Sequence, residues 1–453
     1  MTTDSYLGYS DRLHRLASDL SAKPWPVSRG EVQSALNGQA AEQLRVLVPR
    51  TVRRAEGAFF TGSHVRARFE ELLEDATAFW DPACGAGDLL LAAAGKQDLG
   101  ASMRDTLDLW GKTLRGGDLQ PSFVRTARLR LFLLAAARHK ERGDPIDVDV
   151  ASGLELLKGI RVADAYSDLE KTRSYSGTLL LNPPFGSVQA PADCSWAGGS
   201  VSQAAVISLM SASKIGLGQQ FVAILPDVLR SGSRYARWRS SIESIIDLRS
   251  VNLYGQFDDH TDVDVFLLAG RRRRQRHVRE PSALWWPQRT SASTIEDIFK
   301  VSVGTVVDNR DPHAGPKLPF LIARDLGDLK EIQAPDRTRQ FAGRTFKPPF
   351  VAIRRTSRPG LRSGGNARAA GTLVTGTQDI AVDNHIIVMK SQSGSVDECN
   401  QLIDVLSSPK TSAWLDNRIR CRHLTVGVVR SIPWSPKAAR DEDSVAQELS
   451  VDY

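Results

Sequence analysis

Asn182-Pro183-Pro184-Phe185-Gly186 directly follows the apolar run Thr178-Leu179-Leu180-Leu181, and its residue types and spacing suggest a specific chemistry. An aromatic amine is a poor nucleophile because its lone pair is delocalised into the ring. Two acceptors directed at the amino hydrogens draw the nitrogen towards tetrahedral geometry and free that pair. The Asn182 side-chain oxygen and the Pro183 carbonyl are suited to this task. The prolines stiffen the loop by fixing φ, so the acceptors are in place before reaction. Phe185 offers a flat face on which a flipped base can stack. The plainer reading is a Pro-Pro loop that ends a strand, with Phe185 in the core.

Two upstream segments bear on what such a loop would work with. Asp81-Pro82-Ala83-Cys84-Gly85-Ala86-Gly87 follows a short apolar approach at 77–80 and precedes a helical start at 89–94. Glycines let a backbone approach a ligand closely, and a helix N-terminus supplies N–H donors. No Lys-Ser/Thr follows, so this is not a phosphate loop. In an α/β protein it can also be a turn and nothing more. Asp118 ends a second strand-like segment after Gly116-Gly117. Its carboxylate can accept hydrogen bonds from both ribose hydroxyls of a nucleoside. It can alternatively cap the helix expected at 123–137, with Pro121 near the first turn.

The order of these segments resembles the class I S-adenosylmethionine-dependent DNA adenine-N6 methyltransferases of the gamma order, which include stand-alone enzymes and type I modification subunits. The matching residues are Gly57-Ala58-Phe59-Phe60-Thr61, the turn from Asp81 to Gly87, Asp118, and Asn182 to Phe185. Weaker later matches are Phe221-Val222-Ala223-Ile224-Leu225-Pro226-Asp227 and Gln256-Phe257 with the run at 263–268. The likeness covers roughly 50–270. It implies that S-adenosyl-L-methionine is the cofactor. It further implies that Thr61 and the Asp81, Pro82, Ala83, Gly85 and Gly87 turn touch the methionine part, and Asp118 the ribose. Asn182, Pro183, Pro184 and Phe185 would be catalytic, with Phe257 as a second aromatic beside the target base. Two positions depart from the family. Gly62 stands where Pro usually follows the Thr. The third strand, expected at 146–150, runs into Ala151-Ser152-Gly153 where an acidic residue commonly lies near the cofactor's adenine, so Ser152 is the substitute partner there.

The elements needed to position these residues are those of an α/β protein. Strand-like runs at 178–181, 220–226, 242–251 and 263–268 alternate with helical patterns at 123–137 and 203–214, which implies a parallel sheet. The expected architecture is a Rossmann-like methyltransferase sheet with helices on both faces, plus a basic mixed α+β recognition domain. The expected segments are a helical 1–50, with a helix over 32–48, a methyltransferase domain at 51–275, and a DNA target-recognition domain at 276–453. The boundary follows Arg271-Arg272-Arg273-Arg274, where periodicity weakens.

Charge is unevenly spread. The chain of 453 residues carries a net +7; 29 of its 59 basic residues but only 20 of its 52 acidic ones lie from Arg271 onward. Nine Lys/Arg and no Asp/Glu occur between Arg337 and Gln378. This asymmetry points to a polyanion partner, or to a solvated basic face. Arg354, Arg355, Arg358, Arg362 and Arg368 are the expected phosphate contacts in double-stranded DNA. Cys84, Cys194, Cys399 and Cys421 are scattered without metal spacing, so no metal site is expected. Their scatter, the absence of an apolar stretch of ~18 residues and the lack of a secretory start fit a cytoplasmic protein with no membrane partner. The expected activity is methylation of adenine N6 at a specific DNA sequence, within a restriction-modification or phage-defence system. The alternatives are a subunit active only with restriction or defence partners, and a protein glutamine methyltransferase.

Overall fold

The computed structural model describes residues 6–20, 25–56, 60–258, 261–274, 283–286, 293–326, 330–333, 335–357, 367–420 and 423–436. The chain divides into two compact units. One comprises Met1–Arg230 and Arg234–Leu284; the other comprises Trp285–Tyr453 and Ser231–Ser233.

The first unit is built on strands β1 (Phe79–Asp81), β2 (Leu114–Asp118), β3 (Ile160–Val162), β4 (Thr178–Leu181), β7 (Gln220–Pro226), β8 (Ile246–Asp258) and β9 (Thr261–Arg272), with a separate hairpin of β5 (Ser187–Gln189) and β6 (Ser200–Ser202). The sheet order is β3-β2-β1-β4-β7-β9-β8. β1 to β4 and β7 run parallel, and β9 runs antiparallel between β7 and β8. This is a Rossmann-like open sheet whose strand order reverses between β1 and β4. Every residue of β4 and β7 is buried, which is why both read as unbroken apolar runs. Side chains alternate between the two faces of a strand. Leu180, Val222 and Ile224 join one core with Leu90 and Leu131. Leu179, Leu181, Phe221 and Leu225, equally buried, serve the opposite face.

The helices are α1 (Leu7–Asp19), α2 (Trp25–Leu36), α3 (Gln39–Leu47), α4 (Arg50–Glu56), α5 (Ser63–Glu70), α6 (Asp88–Lys96), α7 (Met103–Thr113), α8 (Pro121–Arg142), α9 (Val150–Leu156), α10 (Ala165–Lys171), α11 (Gln203–Lys214), α12 (Asp227–Ser231) and α13 (Ala236–Ile245). Tyr9, Leu13, Ala35 and Leu44 of α1 to α3 belong to the same core as the α6 and α8 side chains.

Three expected elements differ. The helix over 32–48 is two helices, broken where Gly38 takes a left-handed φ of 87° ahead of α3. The strand at 242–251 starts only at Ile246, because Ile242 is a buried residue of α13. The strand at 146–150 is not formed. Asp149 instead accepts a hydrogen bond from the Ser152 N–H and caps α9, while Val148 and Val150 are buried without joining a ladder. Their alternation mimicked a strand; the third strand is β3.

A buried arginine ties these layers together. Arg130 of α8 is 0% exposed. It pairs with Asp88 at 2.8 Å and donates to the carbonyls of Ala86 (2.8 Å) and Ala35 (2.9 Å). One guanidinium thus joins α8, the end of α2 and the turn after β1. Its five fixed donors make Arg suited to this many-sided role.

The second unit is mixed α+β. Its strands are β10 (Phe299–Val303), β11 (Lys317–Leu321), β12 (Glu331–Ile332), β13 (Thr338–Gln340), β14 (Phe350–Arg354), β15 (Gly371–Val374), β16 (Ala381–Val382) and β17 (Ile386–Ser391). They form sheets ordered β10-β17-β14-β15-β12 and β13-β11-β16. Helices α14 (Ile295–Ile298), α15 (Val396–Ser407), α16 (Pro409–Arg418) and α17 (Val426–Arg430) accompany them. Val351 and Ile353 pack with Leu402 and Leu406 of α15. Phe350 and Ala352, on the other face of β14, pack with Leu321 and Val382.

Arg130→Met should lower unfolding free energy by about 3–5 kcal/mol, because it leaves the Asp88 charge buried and unpaired. Arg130→Met combined with Asp88→Leu should recover much of that loss. Denaturant melts of the three proteins test this, and a single-variant loss under ~1 kcal/mol would count against it.

Candidate functional site

In open α/β sheets a ligand crevice forms beyond the carboxyl ends of the strands, where the strand order reverses. Here that point lies between β1 and β4. A cavity of about 330 Å³ opens there and is lined from the ends of four parallel strands: Pro82, Ala83 and Gly85 after β1, Asp118 in β2 with Leu119 and Gln120 beyond it, residues 163–166 after β3, and Asn182 and Pro184 after β4. Pockets for small-molecule ligands begin at about this size.

The turn after β1 is held by backbone bonds. Cys84 N–H donates to the Gly117 carbonyl at 2.8 Å, and Gly87 N–H to the Cys84 carbonyl at 2.8 Å. Gly85 and Gly87 have φ of 52° and 84°. A Cβ on Gly85 would sit 2.9 Å from the Phe60 ring, and one on Gly87 would sit 2.9 Å from the Ala127 Cβ in α8. Both conformation and space therefore demand glycine. Phe60 meets Phe123 edge to face at 4.8 Å, and Tyr6 of the N-terminal segment at 5.7 Å.

Asp118 accepts from the Gly85 N–H (3.1 Å) through Oδ2 and from the Gln120 N–H (2.9 Å) through Oδ1. These bonds fix its carboxylate at the cavity wall. Asp81 lies beneath the turn, 1% exposed. Its Oδ1 accepts from the Ala83 N–H at 3.1 Å. Burial pushes its carboxyl up to about 8; the Ala83 bond opposes this, and the nearby Asp118 and Asp88 charges add to it. Burial likewise raises the Cys84 thiol, so it packs against the turn as a neutral group.

At the end of β4, Asn182 donates through Nδ2 to the Thr61 hydroxyl oxygen at 2.8 Å. Pro183 is buried and Pro184 borders the cavity. Phe185 and Phe257 touch edge to face, with centroids 5.4 Å apart and planes at 83°. Phe257 is 2% exposed. The two rings brace each other and leave no parallel slot between them.

Of the residues singled out in the sequence, Pro82, Ala83, Gly85, Asp118, Asn182 and Pro184 meet around this cavity. Asp81, Gly87, Pro183, Phe185, Phe257 and Thr61 do not border it, and Thr61 is joined to it through its bond with Asn182. Ser152 does not border it. Its N–H and hydroxyl both bind Asp149, at 3.0 and 2.6 Å, because α9 replaces the expected strand. The acidic position after the third strand is Asp164. Asp164 lines the cavity and caps α10 through the Ser167 N–H at 2.9 Å. The apolar pair Ile160 and Val162 followed by Asp164-Ala165-Tyr166-Ser167 carried that signal as a strand followed by a helix cap.

In the second unit, Arg354 is exposed and donates to the Ala323 carbonyl at 2.9 Å. Arg355 is half-buried, with a bond to the Asn384 carbonyl at 3.4 Å. Arg368 corrects the expectation. It is 5% exposed, pairs with Asp416 at 3.0 Å and donates to the Ser357 and Ile419 carbonyls. Those partners consume its charge inside the fold. Arg358, Arg362 and the segment Gly57-Ala58-Phe59 lie outside the described residues. Among the described residues no His/Cys/Asp/Glu group could hold a metal ion, and no helix is long and apolar enough to cross a membrane.

The Asp81 shift has a measurable sign. A carboxyl whose folded value is raised from 3.8 to about 8 contributes stability that is full below the unfolded value and lost as pH rises through the folded one. The stability of the native chain relative to Asp81→Asn should therefore fall between about pH 4 and pH 8, by at most ~1.4 kcal/mol per pH unit. Paired denaturant melts at pH 5 and pH 8 check this, and a pH-independent difference would refute it.

Comparison with known proteins places this chain beside several solved structures. No family model matches it, and no curated protein does. A chain of a type I restriction-modification system matches at 19% identity over 51% of this chain and 46% of its own, with a TM-score of 0.37. The M protein of the type I restriction enzyme EcoKI matches at 15% identity over 59% and 63%, with a TM-score of 0.33. A DrdV–DNA complex matches at 11% identity over 90% and 58%, with a TM-score of 0.42. The chain spans about half the length of the first of these, and under two thirds of the other two. The assignment of a Rossmann-like fold rests on the strand order of the sheet itself.

Proposed function

We propose that this chain transfers a methyl group from S-adenosylmethionine to the N6 amino group of adenine in a specific DNA sequence, as the modification component of a restriction-modification or phage-defence system. The observation that carries this reading is a shared cavity. Asn182 and Pro184 of the loop after β4 line the same space as Asp118 and the turn residues Pro82, Ala83 and Gly85.

The residues present fit the cofactor. The close-approach glycine Gly85 and the carboxylate of Asp118 form one wall, where the hydroxyls of a ribose would donate hydrogen bonds to that carboxylate. Asp164 stands beyond β3, where an adenine amine would meet an acceptor. When bound, the cofactor supplies a methyl group activated by a positively charged sulfur. The chain's own part is then to hold the target amine. The Asn182 Oδ1 and the Pro183 carbonyl accept its two hydrogens, and this preorganised pair localises the lone pair on nitrogen. Phe185, braced by Phe257, presents a ring to the extruded base. The Asn at 182 favours adenine; the related cytosine-N4 chemistry usually has Ser there. The second unit would carry DNA recognition, with its basic stretch neutralising phosphates.

Labelled cofactor and unmethylated DNA test the reading. Label should reach DNA with the native chain and not with Asn182→Ala, and digestion should locate it on adenine. Label on protein would instead support the glutamine reading. Salt-sensitive DNA binding without transfer would mean that partner subunits are needed. In the second unit, Arg354→Ala should reduce the slope of log affinity against log salt by about one phosphate's worth. Arg368→Ala should lower stability instead; equal salt slopes for native chain and Arg354→Ala would remove Arg354 from the DNA surface.

A further inference from the structure

Thr61 has a partner other than the cofactor that the family resemblance implies. It is 3% exposed and does not border the cavity, although Phe60 before it does. Its hydroxyl oxygen instead accepts from the Asn182 Nδ2 at 2.8 Å. Both neighbours of Thr61 are fixed. The Phe60 ring is held against Gly85, Phe123 and Tyr6. Gly62 opens α5 with φ of −68°.

A primary amide carries its acceptor and its donors on opposite branches of one plane. The torsion that turns this plane is broad and roughly two-fold. An unanchored Asn182 would therefore present either an oxygen or an NH2 group to the cavity. Anchoring Nδ2 on Thr61 turns Oδ1 to the other side. A hydroxyl could also serve the flipped amide by donating to Oδ1. An incoming amine offers hydrogens, however, and matches only the orientation in which Thr61 accepts.

We infer that Thr61 is a positioning residue that sets the Asn182 amide with its oxygen towards the target amine. This rests on the methyl-transfer reading above. It moves Thr61 from the cofactor's binding wall to the geometry of the acceptor pair. The effect belongs to the chemical step, because the bond is made to the Asn182 amide and Thr61 itself does not line the cavity.

Thr61→Val keeps shape and removes the acceptor; Thr61→Ser keeps the hydroxyl. Both are compared with the native chain for DNA methylation rate and for cofactor affinity by equilibrium dialysis. Thr61→Val should lower kcat by about 10- to 100-fold, as expected for losing the one hydrogen bond that orients the acceptor amide. Its cofactor Kd should stay within about twofold, which also reports an intact fold, and Thr61→Ser should recover most of the rate. If valine does not fit, Thr61→Ala gives the same comparison. A native kcat in Thr61→Val, a weakened cofactor Kd with native kcat, or equal losses in Val and Ser would each overturn the inference. Asn182→Ala separates the two levels. If it is inactive while Thr61→Val is normal, only the role of Thr61 fails; if Asn182→Ala methylates DNA normally, the methyl-transfer reading fails with it.

Discussion

The reversal of strand order between β1 and β4 is the constraint on which the rest of this site depends. Two adjacent parallel strands whose connections leave in opposite directions cannot both be covered at their carboxyl ends, so a crevice remains. Most of what borders the cavity enters it from such an end, with Phe60, Phe123 of α8 and Gln203 and Ile207 of α11 closing the rest. The turn after β1, Asp118 at the end of β2, Asp164 after β3 and Asn182 after β4 are separated by up to a hundred residues in sequence. They meet because β3, β2, β1 and β4 are neighbours in one sheet.

Keeping that crevice in shape requires buried polar groups, and each is satisfied from a different layer. Asp118 is fixed by backbone N–H groups of Gly85 and Gln120. The turn is clamped from behind by Arg130, which reaches the Ala86 carbonyl and the Asp88 carboxylate at the start of α6. The same guanidinium holds the end of α2 through the Ala35 carbonyl. The N-terminal helices are thereby part of the support of the site, reinforced by Tyr6 against Phe60. Asp81, buried beneath the turn with a raised carboxyl, belongs to the scaffold and not to the cavity surface.

The second unit illustrates why charge in sequence differs from charge on a surface. The stretch from Arg337 to Gln378 is rich in arginine, yet Arg339 is 3% and Arg368 is 5% exposed. Each pairs with an aspartate distant in sequence, Asp308 and Asp416. A window without local acids can therefore be neutralised by the fold. Arg354 stays outside because it is the last residue of β14, beyond the two packed faces.

The sequence by itself determined the strands that are buried on both faces and the turns that only certain residues can make. β4, β7 and α11 were legible to the residue, since an unbroken apolar run or a helical repeat is a local property. Gly85, Gly87 and the Asn182 to Phe185 loop were legible because their chemistry resides in residue type. Tertiary structure alone decided what those residues touch. The stretch at 146–150 has the period of a strand, but no neighbouring strand pairs with it, so Asp149 caps a helix and Asp164, not Ser152, faces the cavity. The edge-to-face contact of Phe185 with Phe257, 72 residues away in sequence, is set by the fold. Thr61 takes its hydrogen bond from Asn182, 121 residues away in sequence. Period and residue type are written locally, whereas partners are set by which strands become neighbours, and no short window of sequence contains that.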